Sequence, residues 1–542
     1  MQTKYKFPFG ILFYGFVLLL AVSCTEDPEY VKPLPDVEIN LGEIKDLYYY
    51  NEVLSLSPTI TSGNQSEEDF TYHWSLINGD NSIDLSNEHD LSITLNTLGA
   101  HILYYEVTNN KTSLTSYATA TIMVESVTNQ GWYVLKETQN GNTDLDGFYP
   151  GVDLPEYNVI EKWLGAPLAG EPKGLVFSPS YKWKPDSASQ YSSTACIIPF
   201  SEDGGMVYNV NTALPLATLN DMFFLQPDQA NRKISSVMGN SDKILLSMGQ
   251  RAYSMNSGNP AFFPGIEGDY ELSKYYTVGS FGNTLAFDKK NKSFVMFSEA
   301  GYGTSDTIGY FKDVYGEFNN GVEISVTHMN GDVVFLENTV SGSGYSSVVY
   351  AYALFQEEGE QNDLSLLGLD YDTFVKGLYY YYPTPGDWSD YTVVVAGEYN
   401  PINFQRSLPA STYGELTSAR HYVMNKTTPI LYFEKDNKIG LYNISTEAYN
   451  PSFITDIPTG EEVTFMKYIN CSYLPSDPDF QGLVVATYQS ANNTYHIYRY
   501  KLEGLSTVSR EEVVLSGTGK VNKVMYVSAS SYEWQMDLYK YN

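Results

Sequence analysis

A short acidic segment carries oxygen ligands at the spacing of a calcium-binding loop. In NTDLDGFYPGVD, residues 142–153, the oxygen-bearing side chains at that spacing are those of Asn142, Asp144, Asp146 and Asp153. Alternating oxygen ligands, with a glycine such as Gly147 for the sharp turn, are what a Ca²⁺ loop uses. Two positions differ from the pattern, because Asn142 stands where Asp is expected and Asp153 where a bidentate Glu is expected. The sequence therefore predicts a Ca²⁺ site, and the alternative is an acidic turn without metal.

Two aromatic-rich loops are candidates for ligand capture. The first, residues 377–391, reads GLYYYYPTPGDWSDY and includes Tyr382, Trp388 and Tyr391. The second, residues 178–191, reads SPSYKWKPDSASQY and includes Tyr181 and Trp183. Aromatic rings on a loop stiffened by Pro and Gly stack on sugar faces or peptide side chains at little entropic cost. These five side chains are the predicted ligand contacts; the alternative is that they face the core or cover a sheet edge.

Residues typical of catalysis do not form a recognisable motif. The six histidines lack the spacing of metal ligands, and the sequence contains no HExxH, Cys-x-x-Cys, G-x-S-x-G or Walker motif. The 64 acidic residues leave a glycosidase-type pair open, because such a pair is defined by its separation in space. The prediction is a protein without enzymatic activity, and the alternative is a surface hydrolase or lyase.

The N-terminus reads as an export signal. Lys4 and Lys6 precede an apolar stretch at residues 9–22, which is too short for the ~20 residues of a membrane-spanning helix but suits a secretory signal. The run Ala21-Val22-Ser23-Cys24 that follows resembles a bacterial lipobox, although Ala21 stands where leucine is usual. The resemblance implies that residues 1–23 are removed and that a lipid on Cys24 is the only membrane attachment. The alternative is an ordinary cleaved signal.

An acidic, proline-containing segment follows the cysteine. Three carboxylates within residues 26–29 resemble the Bacteroidota signal that directs lipoproteins to the outer face of the outer membrane. Three prolines within residues 28–35 disfavour helix and favour an extended spacer. Residues 24–36 are therefore predicted to be a tether that holds a folded body at the cell surface.

Composition limits the partners. The 542-residue chain has a net charge of −32, and recognition of phosphate groups depends on basic patches, so nucleic acid and anionic membrane surfaces are not expected partners. Besides Cys24 there are two cysteines, Cys196 and Cys471, which could form a disulfide or remain free thiols.

Residues 37–127 alternate in the manner of short β-strands. Segments 70–79, 91–95, 101–109 and 116–126 alternate apolar and polar residues between turns, which predicts a sandwich. The run from Tyr72-x-Trp74 through the Asn78-Gly79-Asp80 turn to TLGAHILYYEVTN resembles the polycystic-kidney-disease (PKD) type of Ig-like domain. That resemblance implies that Trp74 is a core residue.

Residues 128–542 repeat a hairpin pattern. Segments 285–297 and 431–443 share apolar and charged positions around an Asn-Lys turn, and weaker copies occur at 244–256 and 483–502. The long interval in this series could hold two more units, one of them at 333–355. Hairpins recurring every ~40–60 residues are the signature of a β-propeller. The predicted fold is all-β: an Ig-like (PKD-type) sandwich at 37–127 followed by a propeller-like domain of about seven or eight blades. The runner-up for the second part is a pair of large sandwiches.

This order of parts resembles the PKD-like lipoproteins of Bacteroidota. The resemblance implies an accessory lipoprotein of SusC/SusD-type uptake systems, in which a TonB-dependent barrel imports glycans or peptides. The predicted function is to bind or channel such a nutrient beside the transporter, with no cofactor other than the Ca²⁺ of residues 142–153. The alternatives are a surface hydrolase or lyase, or a protein-binding adhesion module.

Overall fold

The computed structural model describes most of the chain from residue 37 onward. The described residues are 37–62, 69–78, 81–150, 154–184, 190–228, 232–239, 243–256, 259–279, 283–299, 306–314, 321–341, 348–359, 362–370, 379–381, 392–394, 400–469, 482–503, 507–511 and 514–528. They belong to two compact units that meet in sequence at Val124 and Glu125, close to the boundary expected at residue 127.

The described part of the first unit is a β-sandwich. Its strands are β1 (Glu38–Asn40), β2 (Leu47–Tyr49), β3 (Val53–Leu56), β4 (Thr59–Thr61), β5 (Phe70–Asn78), β6 (Asn81–Ser86), β7 (Leu91–Thr94), β8 (Gly99–Asn109) and β9 (Thr115–Glu125). A five-stranded sheet has the order β2-β9-β8-β5-β6, and the remaining strands form the pairs β1-β4 and β3-β7.

Trp74 lies at the centre of this sandwich, as predicted. Its side chain is 0% exposed, and its indole Nε1 donates a hydrogen bond to the carbonyl oxygen of Glu88 at 3.1 Å. Strand alternation places Leu103, Tyr105 and Val107 on the same buried face, and the Tyr105 ring stacks on Trp74 with centroids 4.0 Å apart. The core role implied by the PKD resemblance is confirmed.

The second unit is built from antiparallel sheets. Its first strands are β10 (Gln130–Glu137), β11 (Thr143–Phe148), β12 (Pro172–Trp183), β13 (Ser192–Ser201), β14 (Met206–Asn209), β15 (Leu214–Thr218), β16 (Ile234–Gly239), β17 (Lys243–Met248), β18 (Arg251–Asn256), β19 (Leu272–Val278), β20 (Thr284–Asp288), β21 (Ser293–Glu299) and β22 (Asp306–Tyr310). The later strands are β23 (Gly331–Ser341), β24 (Val348–Glu357), β25 (Leu364–Leu369), β26 (Tyr379–Tyr381), β27 (Thr392–Val394), β28 (Ile402–Leu408), β29 (His421–Met424), β30 (Ile430–Lys435), β31 (Lys438–Asn443), β32 (Tyr449–Ile454), β33 (Glu462–Ile469), β34 (Gly482–Gln489), β35 (Thr494–Glu503), β36 (Thr507–Arg510), β37 (Leu515–Thr518) and β38 (Lys520–Ser528).

These strands form a propeller of seven blades within the described residues. In chain order, the blades are β12–β15 (blade 1), β16–β18 (blade 2), β19–β22 (blade 3), β23-β24-β25-β28 (blade 4), β29–β32 (blade 5), β33–β36 with β37 on β35 (blade 6), and β38-β10-β11 (blade 7). Each blade is an antiparallel sheet, as propeller blades are. The prediction of about seven or eight blades is confirmed at seven.

The first strands of the blades close into a ring. Strand β12 contacts β16, β16 contacts β19, and the series continues through β23, β29, β33 and β38 back to β12. The closing blade joins distant parts of the chain, because β38 pairs antiparallel with β10 from Gln130↔Ser528 to Glu137↔Lys520. The ring encloses a central channel lined by the seven inner strands.

The hairpin repeats predicted from sequence are blade hairpins. Segments 285–297 and 431–443 are the second and third strands of blades 3 and 5, and 244–256 and 483–502 occupy the same place in blades 2 and 6. Segment 333–355 is also a hairpin, but of the first and second strands of blade 4. The long interval therefore holds one blade with an insertion between β25 and β28, and the expectation of two further units is wrong.

Acidic residues that align between two repeats support the hairpin turns. Asp288 Oδ1 accepts hydrogen bonds from the backbone N–H groups of Lys290 at 3.0 Å and Asn291 at 3.3 Å. Glu434 Oε1 accepts one from the N–H of Asn437 at 2.8 Å. Both carboxylates are 0% exposed, so they give buried turn N–H groups the partners that those groups require.

Two glycines allow the inner strands of blades 1 and 2 to approach closely. A Cβ added at Gly174 would lie 2.7 Å from Cβ of Val237, and one added at Gly239 would lie 2.6 Å from Cγ1 of Val176. A larger residue at either position would push β12 and β16 apart, and with them the wall of the channel.

Helices are short in the described residues. They are α1 (Val159–Leu164) and α2 (Ala410–Thr417), with 3₁₀ turns at Val127–Asn129 and Leu219–Asp221. Within the described ranges, no helix is long and apolar enough to cross a membrane.

Candidate functional site

The segment predicted to bind Ca²⁺ is a strand rather than a loop. Residues 143–148 form β11, which pairs with β10 in blade 7. Asp146 is 0% exposed and pairs with the ammonium of Lys136, with Nζ 2.7 Å from Oδ1. Its Oδ2 also accepts a hydrogen bond from the Tyr495 hydroxyl at 2.6 Å. The cation that this carboxylate neutralises is therefore a lysine side chain.

Of the other predicted Ca²⁺ ligands, Asp144 and Asn142 accept hydrogen bonds from backbone N–H groups. Asp144 Oδ1 accepts hydrogen bonds from the N–H groups of Leu145 at 2.8 Å and Ile160 at 3.0 Å. Asn142 Oδ1 accepts the N–H of Gly170 at 3.3 Å. Asp153 lies outside the described residues. The Ca²⁺ prediction is wrong for Asp146, whose two carboxylate oxygens are occupied by Lys136 and Tyr495, and for Asp144 it stays a prediction. The sequence pattern was misleading because a strand and a calcium loop both place side chains on one side at every second position.

The residues of the second aromatic loop belong largely to blade 1. Tyr181 is 4% exposed, and its hydroxyl donates a hydrogen bond to the carbonyl oxygen of Pro260 at 3.1 Å. The prediction that Tyr181 presents its ring to a ligand is therefore wrong. Trp183, at the end of β12, is half-buried and packs partly against the same core.

The remaining predicted residues fall outside the described ranges. Tyr382, Trp388 and Tyr391 lie in sequence between β26 and β27, which are described and pair antiparallel from Tyr379↔Val394 to Tyr381↔Thr392. Cys24 and Cys471 also lie outside the described residues. Cys196 is buried, and burial raises the pKa of its thiol.

A cavity of about 120 Å³ lies where the inner strands converge. Every blade contributes to its lining, through residues 175, 237–239, 276–278, 337–338, 426, 465–467 and 523. The lining residues lie on the inner strands of the closed ring or, for Lys426, two residues beyond one. The paired strands of the blades therefore support the side chains of the cavity. Such support is what a binding site needs to keep its geometry.

Three lysines dominate the polar part of this lining. They are Lys426, two residues beyond β29, Lys467 on β33 and Lys523 on β38, from three successive blades. Among the lining residues that the structure describes, the one carboxylate is that of Glu337 on β23. We call these four residues the lysine cluster.

Glu337 is held in place by two contacts. Its Oε2 accepts a hydrogen bond from the N–H of Met424 at 2.6 Å, and its Oε1 lies 3.4 Å from Nζ of Lys426. Nearby, Asn338 Nδ2 donates to the carbonyl oxygen of Val278 at 2.8 Å, which links blades 3 and 4 at the channel wall. The carboxylate thus serves Lys426 and the backbone of blade 5.

The lysine cluster disfavours its own positive charge. Burial, together with the ammonium groups of Lys523 and Lys426, holds the pKa of Lys467 well below its ordinary value of 10.5, and Glu337 only partly opposes this. Burial also lowers the pKa of Lys523, with Glu337 opposing and Lys426 reinforcing the shift. An anion placed among these side chains would favour their charged forms.

Sequence reasoning missed this site because its members are far apart in the chain. A signal was present: Lys467 lies within the apolar strand sequence EVTFMKYI, where a charged residue facing the interior is unusual. Only the ring closure shows that it meets Lys426 and Lys523.

Metal-ligating side chains do not cluster in the described part of the chain. No group of three or more His, Cys, Asp or Glu side chains is arranged there to hold a metal ion.

Comparison with known proteins gives a family match for the N-terminal part of the chain and distant structural likenesses over most of it. No curated protein matches it. Among solved structures, it is similar to a quinoprotein alcohol dehydrogenase-like protein from Bacteroides thetaiotaomicron, at 12% identity and a TM-score of 0.36, over 90% of this chain and 99% of that one. It is also similar to the WD40 domain of SCAP from fission yeast, at 10% identity and a TM-score of 0.32, over 66% and 74% of the two chains. Likenesses this distant carry no argument about function, and the propeller follows from its own sheet order and ring closure. Residues 34–172, which include the sandwich and the first strands of the propeller unit, match the family model of the PKD-like family.

Proposed function

We propose that this protein is a lipid-anchored surface protein that captures a glycan or peptide nutrient beside a SusC/SusD-like, TonB-dependent transporter. The observation that carries the proposal is the small polar cavity to which all seven blades contribute. A PKD-like domain followed by a propeller is a binding framework, and the lipobox-like Ala21-Val22-Ser23-Cys24 supports an anchored, outer-membrane location.

The size of the cavity suggests how a ligand is held. Pockets that enclose a whole small molecule usually measure about 300–1,000 Å³, whereas this one measures about 120 Å³. Only one end group of a ligand fits inside, and the rest remains at the channel mouth. Capture of this kind suits a protein that passes its ligand to a neighbour.

We propose binding without catalysis. A glycosidase requires two carboxyl groups on either side of the scissile bond. The described lining of the cavity offers one, Glu337, which already contacts Lys426 and the Met424 N–H. The chain's charge of −32 supports the further proposal that nucleic acid is not a partner.

The test of the transporter role is a detergent pull-down from native outer membranes through a C-terminal tag, followed by mass spectrometry. The expected result is a TonB-dependent barrel and a SusD-like protein in stoichiometric amounts. A Cys24→Ser variant, which removes the attachment point of the lipid, is the matched control and should lose both partners. Repeated recovery of the lipoprotein alone would contradict the proposal.

The test of the capture role is a binding screen of the full chain against glycan and peptide panels. At least one panel should yield binding that a competing soluble ligand reverses. If neither panel binds, the alternatives of a protein-binding adhesion module or a surface hydrolase become the better explanations, and product formation from polysaccharides would distinguish them.

A further inference from the structure

We propose that the central channel is an anion site that accepts a single oxoanion group, such as a carboxylate, sulfate or phosphate, carried by a small ligand. This inference rests on the proposed capture function and narrows the ligand class. It is carried by the composition, position and size of the lysine cluster.

The charge balance of the channel is opposite to that of the chain. The whole sequence has 64 acidic and 32 basic residues, yet the described part of the cavity lining has three lysines and one glutamate. A lining drawn at random from this chain would carry more acids than bases. The lysines of the lining make the local potential in the channel more positive than elsewhere on this acidic chain, which attracts anions there.

The three lysines of the described lining lie on one side of the ring, because they come from three successive blades. Glu337 contacts Lys426 at 3.4 Å, while Lys467 and Lys523 lie on the next two inner strands, β33 and β38. Among the charges that act on Lys467 are those of Lys523, Lys426 and Glu337. The phenol of Tyr276 on β19 is the remaining titratable group among the described lining residues. An oxoanion between Lys467 and Lys523 would lie next to two ammonium groups of the cavity lining.

The cavity volume fits such a group. A cavity of about 150 Å³ in another protein holds one benzene molecule, so a cavity of about 120 Å³ admits a somewhat smaller group, such as one carboxylate, sulfate or phosphate group. Lysine ammonium groups act as point charges with rotatable donors, whereas arginine selects flat anions by its paired donors. Lysine is the only basic residue type among the described lining residues. The site should therefore bind anions much more tightly than neutral ligands, but should distinguish poorly between one oxoanion and another.

The experiment is isothermal titration calorimetry of the full chain in detergent at low salt. Galacturonic acid is the anionic probe, and galactose, which has the same ring without the carboxylate, is the neutral match. Inorganic sulfate and phosphate are titrated separately. These two titrations show whether an oxoanion binds without an attached sugar ring. Galacturonate should bind at least about tenfold more tightly than galactose, because charge-assisted contacts are the strongest hydrogen bonds available to the site.

Two variants test the residues. Lys467→Met and Lys523→Met keep the apolar stem and remove the charge, and each should weaken galacturonate binding by about tenfold or more. Lys501→Met, at an exposed position on the third strand of blade 6, makes the same change in net charge and should alter binding by less than about twofold.

Binding to the wild-type protein should also weaken as the pH rises towards 10.5, because Lys467 loses its proton below that value.

The outcomes separate this inference from the proposed function. Equal binding of galactose and galacturonate, or unchanged binding by both channel variants, would overturn the anion site and leave nutrient capture standing. If a barrel and a SusD-like protein co-purify but no anion binds, the anion site alone is again wrong. A loss of binding caused by misfolding is recognised by thermal unfolding, since both channel variants should unfold at or above the wild-type temperature.

Discussion

Blade 7 and the central channel both place lysine near carboxylate groups in the interior of the propeller, but in opposite proportions. In blade 7, one lysine, Lys136, is opposite two carboxyl groups: Asp146, with which it pairs at 2.7 Å, and Asp144, its partner in strand register. Among the described residues of the channel lining, there are three lysines and one carboxylate, that of Glu337.

The two regions resolve their surplus charge differently. The surplus in blade 7 is acidic, and burial raises the pKa of Asp144 to about 6, so a proton can neutralise it inside the blade. The surplus in the channel is basic and adjoins a cavity of about 120 Å³, so a ligand from outside can neutralise it. Buried charge that is matched within the chain is part of the fold, whereas surplus charge beside an open cavity is a candidate for binding.

The largest expected effect breaks the matched pair. Lys136→Met leaves the Asp146 carboxylate, which is 0% exposed, without its cation. Removing one partner of a buried ion pair costs about 3–5 kcal/mol. Urea unfolding should show this loss in the free energy of unfolding, and the double variant Lys136→Met/Asp146→Asn should recover most of it. A loss below about 1 kcal/mol would mean that the pair behaves like a surface ion pair.

The next effect concerns the surplus acid of blade 7. The pKa of Asp144 is about 6 in the folded protein and 3.8 for the unperturbed group, so the folded state binds more protons between these values. Stability from this residue is therefore fully present below about pH 4 and falls as the pH rises through 6, by roughly 3 kcal/mol. In Asp144→Asn the side-chain oxygen can still accept the N–H groups of Leu145 and Ile160, and the fall should disappear. Urea midpoints measured from pH 4 to 7 for both proteins check this, and identical slopes would contradict it.

A smaller effect of opposite sign is expected in the channel. Lys467→Met removes a charge that burial and two neighbouring lysines disfavour, so the free energy of unfolding should rise by about 1–2 kcal/mol near neutral pH. The unfolded chain holds the proton of this lysine up to pH 10.5, so wild-type stability rises with pH and the advantage of the variant should shrink. Thermal unfolding at pH 7 and pH 9.5 tests both points. A destabilised variant at neutral pH would show that Lys467 serves the fold, as Lys136 does.

The smallest effect adjusts the balance of the lysine cluster. Glu337→Gln removes the one carboxylate of the lining but can still accept the Met424 N–H, so stability should fall by less than about 1 kcal/mol. Because the net positive charge of the cavity increases, galacturonate should bind about threefold more tightly. Calorimetry against the wild-type protein measures this, and weaker binding would place Glu337 among the ligand contacts.

The parts of the fold that depend on neighbouring residues could be predicted from the sequence. The hairpins at 285–297 and 431–443 are visible because strand, turn and strand follow one another, and the aligned Asp288 and Glu434 support the turns themselves. The core position of Trp74 follows from a local motif as well.

The parts that depend on distant pairing could not be predicted. Asp146 looks like a metal ligand until β10 brings Lys136 to it. Tyr181 looks exposed in sequence because strand alternation alone does not say which side faces the core, and the carbonyl of Pro260 that binds its hydroxyl lies in another blade connection. The lysine cluster requires the register of three inner strands and the closure of the ring.

Closure of the ring by β38 also determines when the channel exists. Strand β38 brings Lys523 to the cavity, and it is fastened to β10 by its ladder and by the hydrogen bond from Gln130 Nε2 to the Tyr526 hydroxyl at 2.8 Å. The strand that locks the propeller is thus the strand that completes the lysine cluster. A chain whose C-terminal strand has not yet docked has no assembled channel, and a bound anion would act as a clasp on the closed ring. Pulling β38 away would open the ring and take Lys523 out of the cavity lining in the same event, so one strand links closure of the propeller to the proposed anion site.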